Sequence, residues 1–259
     1  MCTATELTAL CELAIDAATQ SGRLIESRVG GDVSVQSKSA GASAASQIVT
    51  DVDLQSQSLI LSCLLPAMTT HDLGMLIEET DDDGSRFSKS CFWCVDPLDG
   101  TLPFVQNRPG YAVSIALVSR EGEPLLGVVY DPCSDTLYHA IRGAGAFRNR
   151  QRWRINETQN GPTRLVEEGG AVLNACHVLE NAPAAFVKNP KPEQGGGAIW
   201  DYAATRCVFD EIGAFALDRN GEALDLNPHG SLYMNERGVL YASDKRVLNE
   251  LIGANASAD

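Results

Sequence analysis

Residues Cys94 to Phe104, CVDPLDGTLPF, place two aspartates three positions apart around a proline and run directly into Gly100-Thr101. This grouping suits one chemistry, the holding of a divalent cation and a phosphate at the same place. Gly100 permits close backbone approach of a ligand, and a short helix opening near Thr101 would aim free N–H groups at an anion. Alone, the segment reads equally well as an Asp-Pro turn with Asp99 as a helix cap. Acids elsewhere shift the balance. Gly74 to Glu79, GMLIEE, is a short apolar run ending in paired carboxylates. Gln47 to Asp53, QIVTDVD, ends an apolar stretch and opens a helix, and Gly197 to Ala204, GAIWDYAA, sets Asp201 just inside another. Glu78, Asp96, Asp99 and Asp201 each follow directly on an apolar residue, where an unpaired carboxylate is costly. Converging carboxylates repel unless they are protonated or share a cation. Oxygen-only ligation favours Mg²⁺, Mn²⁺ or Ca²⁺ over zinc or copper.

The elements that must position these acids follow from periodicity. Thr3-x-x-Glu6 has the form of a capping box, and Leu7, Leu10, Ala14, Ala17 and Ala18 recur at helical spacing, giving a first helix to about Ser27. Ser34 to Ser46 is small, polar and aperiodic, and is expected to be a mobile loop. A second helix is predicted from about Asp53 to Leu65, stopped before Pro66. Strands are predicted at 74–78, 92–95, 111–119, 125–130 and 136–141, the second ending at Asp96 because Pro97 cannot donate to a ladder. A helix over 171–181 and a strand at 184–188 follow. The Pro- and Gly-dense stretch 189–197 reads as a loop. Its place just before Asp201 brings Lys188 and Lys191 near the acids, as contacts for an anionic substrate or as plain surface lysines. Asp81 to Gly84 reads as a solvated loop, and the basic spot Arg150 to Arg154 as a partner for the acidic surface.

Composition narrows the class. A chain of 259 residues buries a large core. No apolar run approaches the length of a membrane span, and MCTATELTAL lacks the basic start and apolar core of a secretion signal. A net charge of −14 argues against nucleic-acid polymers and anionic membranes as partners. Bound divalent cations would reconcile that charge with a phosphate substrate. Eight scattered cysteines fit buried thiols in a reducing cytoplasm. Cys91 and Cys94 have C-x-x-C spacing, but on a strand they point to opposite faces and cannot act together.

Taken in order, Glu78-Glu79, then Asp96-Pro97-Leu98-Asp99-Gly100-Thr101, then Trp200-Asp201-x-Ala-Ala resemble the inositol monophosphatase superfamily. That group includes inositol monophosphatases, 3'(2'),5'-bisphosphate nucleotidases and fructose-1,6-bisphosphatases. Gly110 to Leu117 and Gly127 to Pro132 resemble its central strands, and Gly169 to Asn174 a degenerate form of a segment that flanks the substrate. The resemblance implies an α/β fold, an αβαβα sandwich with two sheet-containing subdomains. Residues 1–150 would carry most metal ligands, and 151–259 would supply Asp201 and the specificity loops. It implies a first Mg²⁺ on Glu78, Asp96 and the carbonyl of Leu98. Asp96 would bridge to a second, held with Asp99 and Asp201, about 4 Å away. A third, weaker ion near Glu78 and substitution by Mn²⁺ are further implications. Thr101 with Asp53 would orient and deprotonate the metal-activated water, with Glu78 also in the catalytic set. The N–H groups of Gly100 and Thr101 would cradle the phosphate, with Lys191 as a further substrate contact. The implied activity is hydrolysis of a small phosphorylated metabolite, inositol monophosphate-like first. A 3'(2'),5'-bisphosphate nucleotidase, a sugar bisphosphatase and a catalytically silent metal-binding homologue are the alternatives. A homodimer is also implied.

Overall fold

The computed structural model describes residues 2–37, 48–155, 161–195 and 197–255. In chain order its elements are α1 (Ala4–Ser27), β1 (Val35–Ser37), β2 (Ile48–Thr50), α2 (Asp51–His71), β3 (Gly74–Ile77), α3 (Ser85–Ser88), β4 (Cys91–Asp99), α4 (Thr101–Val105), β5 (Ala112–Ser119), β6 (Pro124–Asp131) and β7 (Thr136–Ile141). There follow β8 (Gly145–Arg148), β9 (Gln151–Arg152), β10 (Arg164–Leu165), α5 (Ala171–Glu180), β11 (Ala184–Lys188), α6 (Ile199–Ile212), β12 (Phe215–Leu217), β13 (Val239–Ala242) and α7 (Lys245–Asn255).

Strand alternation sorts these elements into five layers. β3 to β9 form a seven-stranded sheet in sequence order, parallel only between β3 and β4. One face carries Trp93, Val95, Ile115 and Val128 against Leu10, Ile15 and Ile25 of α1 and Ile60 and Leu64 of α2. Each such aliphatic side chain removed from water contributes about 1.5–3 kcal/mol. The opposite face carries Phe92, Cys94, Ala116 and Val129 against α5 and α6. These two helices also cover the inner face of a four-stranded sheet of order β10-β11-β13-β12. The outer face of that small sheet buries Ala185, Leu240 and Ala242 against Val247 and Leu248 of α7. The architecture is therefore αβαβα, as the resemblance implied. Among the described residues no helix is long and apolar enough to cross a membrane.

Several local expectations hold. Thr3 and Glu6 form the reciprocal cap of α1, with Thr3 N–H donating to Glu6 Oε2 at 2.7 Å. Cys91 and Cys94 are free thiols on opposite faces of β4. Arg150 pairs with Glu12 at 2.9 Å, a partner on the acidic surface.

Three expectations are corrected. α2 does not stop before Pro66 but carries it inside the helix and continues to His71. Both Pro66 and Ser62, whose carbonyl loses its partner, are exposed, so water replaces the missing bond. β4 does not end at Asp96; it continues through Pro97 to Asp99. The register shifts between Asp96 and Asp99, and a proline is tolerated at such an irregularity. The polar stretch from Ser34 is not loop throughout, since Val35–Ser37 pairs antiparallel with Ile48–Thr50. The remainder of that stretch, 38–46, lies outside the described residues.

Candidate metal and phosphate site

Two β-strands and a helix set the acids. Leu76 and Phe92 point toward α5 and α6, so alternation sends Glu78 and Asp96 the same way. Asp96 faces Ser114 across β4 and β5, and the Ser114 hydroxyl donates to the Trp200 carbonyl at 3.2 Å. That bond pins the start of α6 over the sheet and delivers Asp201. Gly127 in β6 allows the approach, because any Cβ there would overlap the backbone of Ala204.

Asp96, Asp99 and Asp201 offer carboxylate oxygens that all lie within 4.8 Å of one another. Glu78 lies beside them, within hydrogen-bonding reach of Asp96. Backbone donors fix their directions. Asp96 Oδ1 accepts from Leu98 N–H at 3.0 Å. Asp99 accepts from Ala171 N–H at 3.1 Å and Val172 N–H at 3.0 Å, and Asp201 accepts from Ala198 N–H. Asp96 is 1 % exposed and Asp99 is 6 % exposed. Burial pushes the Asp96 carboxyl well above its usual range, and Glu78, Asp99 and Asp201 push it further. Burial and then Asp201 do the same to Asp99. At an effective dielectric of 20, each ionised pair at this spacing repels by about 3 kcal/mol. Three charges cannot persist there without protons or a cation. Carboxylate oxygen donors, those of Asp96 and Asp99 buried and that of Asp201 half-buried, with no nitrogen or sulfur among them, fit hard ions such as Mg²⁺.

Next to the acids lies a second constellation. Thr101 Oγ1 is 3.1 Å from Asp53 Oδ1 and 3.2 Å from the Leu98 carbonyl, and its hydroxyl can donate to either. Asp53 Oδ2 accepts from Thr50 N–H at 2.7 Å and from the Thr50 hydroxyl at 2.5 Å, so the carboxylate also closes the cap of α2. Burial raises the Asp53 carboxyl, while its bonds to Thr50 oppose that rise. The turn that carries Leu98 is held from below, since the Ser56 hydroxyl donates to the Pro97 carbonyl at 2.7 Å. Ser56 in turn contacts Ser21 at 2.5 Å.

Glycines bring the remaining pieces together. Gly100 has φ +83°, and a Cβ there would strike the Gly110 carbonyl. Gly170 N–H donates to that same carbonyl at 2.8 Å. A Cβ on Gly170 would overlap the Asp99 carboxylate. The start of α5 and the start of α4 thus converge on Asp99.

The structure therefore brings together Glu78, Asp96, Asp99 and Asp201, and beside them Asp53, Leu98, Gly100 and Thr101. Lys188 ends β11, near enough for its charge to oppose the rise of the Asp99 carboxyl that burial and Asp201 cause. Lys191 is anchored through its backbone, its N–H donating to the Asn235 carbonyl at 2.8 Å. Sequence reasoning missed Ser21, Ser56 and Ser114, because a buried serine carries no signal of what it holds. It gave Gly169-Gly170 only as a segment near the substrate, when Gly170 shapes the seat of Asp99.

A five-layer αβαβα fold with these carboxylates at its centre is the architecture of metal-dependent phosphoric monoester hydrolases. Residues 6–169 match the inositol monophosphatase family, and the chain belongs to it. It is 29 % identical over 249 residues to human inositol monophosphatase 2, covering 83 % of this chain and 82 % of the relative. It is 28 % identical over 232 residues to a fructose-1,6-bisphosphatase/inositol-1-monophosphatase of Thermotoga maritima, covering 79 % and 84 %. Among solved structures, the extragenic suppressor protein SuhB of Bartonella henselae superposes with a TM-score of 0.76 at 25 % identity, covering 95 % of this chain and 98 % of that one.

Proposed function

We propose that this chain is a cytoplasmic, Mg²⁺-dependent, homodimeric phosphomonoesterase acting on a small phosphorylated metabolite, with inositol monophosphate as the reference substrate. The observation that carries the reading is the convergence of Asp96, Asp99 and Asp201 within 4.8 Å, beside a Thr101–Asp53 contact of 3.1 Å. Glu78, Asp96 and the Leu98 carbonyl would hold one ion, and Asp96, Asp99 and Asp201 another, with Glu78 adjacent to any third. When bound, the ions supply charge neutralisation of the phosphate and acidification of the attacking water.

The chain's own groups do the rest. Asp53 Oδ1 accepts the Thr101 hydroxyl and leaves the Oγ1 lone pairs facing the site. A water donating to Oγ1 is oriented for attack. As its oxygen bonds to phosphorus and the bond from phosphorus to the ester oxygen breaks, its proton passes to Oγ1 and the Thr101 proton moves to Asp53. The departing alkoxide leaves as the alcohol with a proton from solvent. A carboxyl raised by burial is a better acceptor for that proton. The Gly100 and Thr101 N–H groups receive phosphate oxygens, and Lys191 serves as an outer contact. A substrate with two phosphates, such as a sugar bisphosphate or 3'-phosphoadenosine 5'-phosphate, is the second reading; the Lys188 ammonium, 5.9 Å from the ring centre of Tyr202, the neighbour of Asp201, favours it.

Phosphate release should be measured with Mg²⁺ and with chelator across inositol 1-phosphate, fructose 1,6-bisphosphate and 3'-phosphoadenosine 5'-phosphate. Mg²⁺-dependent release from at least one is expected. Metal binding with release from none defeats the hydrolase reading.

A further inference from the structure

Register between β4 and β5 runs from Asp96–Ser114 to Asp99–Ala112, so two residues, Pro97 and Leu98, stand opposite the single Val113. This is a β-bulge, where the ladder is locally disrupted and no longer orients the chain. Side chains orient the peptide between Pro97 and Leu98 instead. Its N–H, on Leu98, donates to Asp96 Oδ1 at 3.0 Å, and its carbonyl, on Pro97, accepts from the Ser56 hydroxyl at 2.7 Å. Ser56 Oγ lies 2.5 Å from Ser21 Oγ. A serine has one hydroxyl proton, and that of Ser56 is engaged by a carbonyl that can only accept. Ser21 is therefore the donor to Ser56, and the chain of bonds runs from α1 through α2 to Pro97. Both serines are 0 % exposed. Alanines would let the two helices pack as closely without burying hydroxyls at a cost in desolvation, so packing does not call for serine here. What the pair reaches is the residue before Leu98, whose own carbonyl lies 3.2 Å from Thr101 Oγ1.

We infer that Ser21 and Ser56 are positioning residues for the cation site: their hydroxyls fix the Pro97–Leu98 peptide so that the Leu98 carbonyl is presented to the ion. This rests on the role proposed above for that carbonyl as a ligand. In Ser56→Ala the Pro97 carbonyl is buried without this partner. The peptide then turns to find another, and the Leu98 carbonyl turns with it. The packing of α1 on α2 thereby sets cation affinity, although neither serine touches the ion.

The test compares wild type with Ser21→Ala, Ser56→Ala, the Ser21→Ala/Ser56→Ala double variant and Ile60→Val. Ile60 is buried on the same helix, and its truncation lowers stability without touching the two hydroxyls. Mg²⁺ binding by calorimetry, half-activation by Mg²⁺ and Tm are measured for each. Ser56→Ala should weaken Mg²⁺ binding and raise half-activation by about tenfold, with kcat at saturating Mg²⁺ near wild type. Ser21→Ala should lose less, and the double variant should bind no more weakly than Ser56→Ala, because the chain of bonds is already broken there. Ile60→Val should bind Mg²⁺ like wild type. Unchanged affinity in Ser56→Ala, or an equal loss in Ile60→Val, would reduce the serines to packing and overturn the inference while leaving the metal site intact. A wild type that binds no Mg²⁺ overturns the metal site itself, and the inference with it.

Discussion

The Ser114 hydroxyl donates to the Trp200 carbonyl at 3.2 Å, tying β5 to the first turn of α6. Ser114 faces Asp96 in register, and Trp200 precedes Asp201. This hydrogen bond, together with the packing of α6 on the sheet, joins acids brought from 105 positions apart in the sequence. Removing it with Ser114→Ala should cost about 1 kcal/mol of stability. It should also raise the Mg²⁺ concentration for half-activation by about tenfold, the usual effect of losing a group that orients a ligand. An Mg²⁺ titration of activity reads this. Unchanged half-activation would show that α6 is placed by packing alone.

Thr101 and Asp53 separate proton handling from metal holding. Thr101→Ala should lower kcat by about a hundredfold or more while metal affinity, measured by calorimetry, stays near wild type. Asp53→Asn should lower kcat similarly and also weaken the cap of α2, costing about 1 kcal/mol in thermal melts. A Thr101→Ala enzyme with full turnover at saturating Mg²⁺ would remove the dyad from the mechanism.

Stability without metal should depend on pH in a defined direction. The Asp96 and Asp99 carboxyls are held well above the ordinary value of 3.8 in the folded protein, by burial and then by the neighbouring acids. A group raised in this way contributes stability that is fully present below its unfolded pKa and is lost as pH rises through the folded one. In chelator, Tm should fall as pH rises from the ordinary carboxylate range toward neutrality. Mg²⁺ binds the deprotonated acids and should restore Tm most at the higher pH. Calorimetric scans between about pH 5 and 8 test this, and parallel Tm curves with and without Mg²⁺ would refute it.

Gly100→Ala should damage site and fold together. The left-handed conformation costs an L side chain about 1–2 kcal/mol, and the added methyl would strike the Gly110 carbonyl. Loss of kcat together with a lowered Tm is expected. A variant with wild-type Tm and turnover would mean that the turn has other ways to close.

Much of this was legible in the sequence for physical reasons. Strands 136–141 and 184–188 were readable because turn residues bound short apolar runs. The acids stood out because carboxylates directly after apolar residues need partners. Pro66 misled because a proline is read as a stop, yet the exposed face of α2 tolerates it. Pro97 misled similarly, since a register shift absorbs what a regular ladder would not. Ser56 beneath Pro97 and Gly170 against Asp99 were invisible, because their partners lie 41 and 71 positions away and neither residue type announces what it touches. Lys188 could be placed near the site from sequence, but its inward direction emerged only with the alternation of β11.

The most direct measurement is anomalous scattering from crystals soaked in Mn²⁺. A strong peak is expected among the carboxylates of Glu78, Asp96, Asp99 and Asp201, lost in Asp96→Asn. A map with no peak there, and those four side chains turned to separate surroundings, would contradict it.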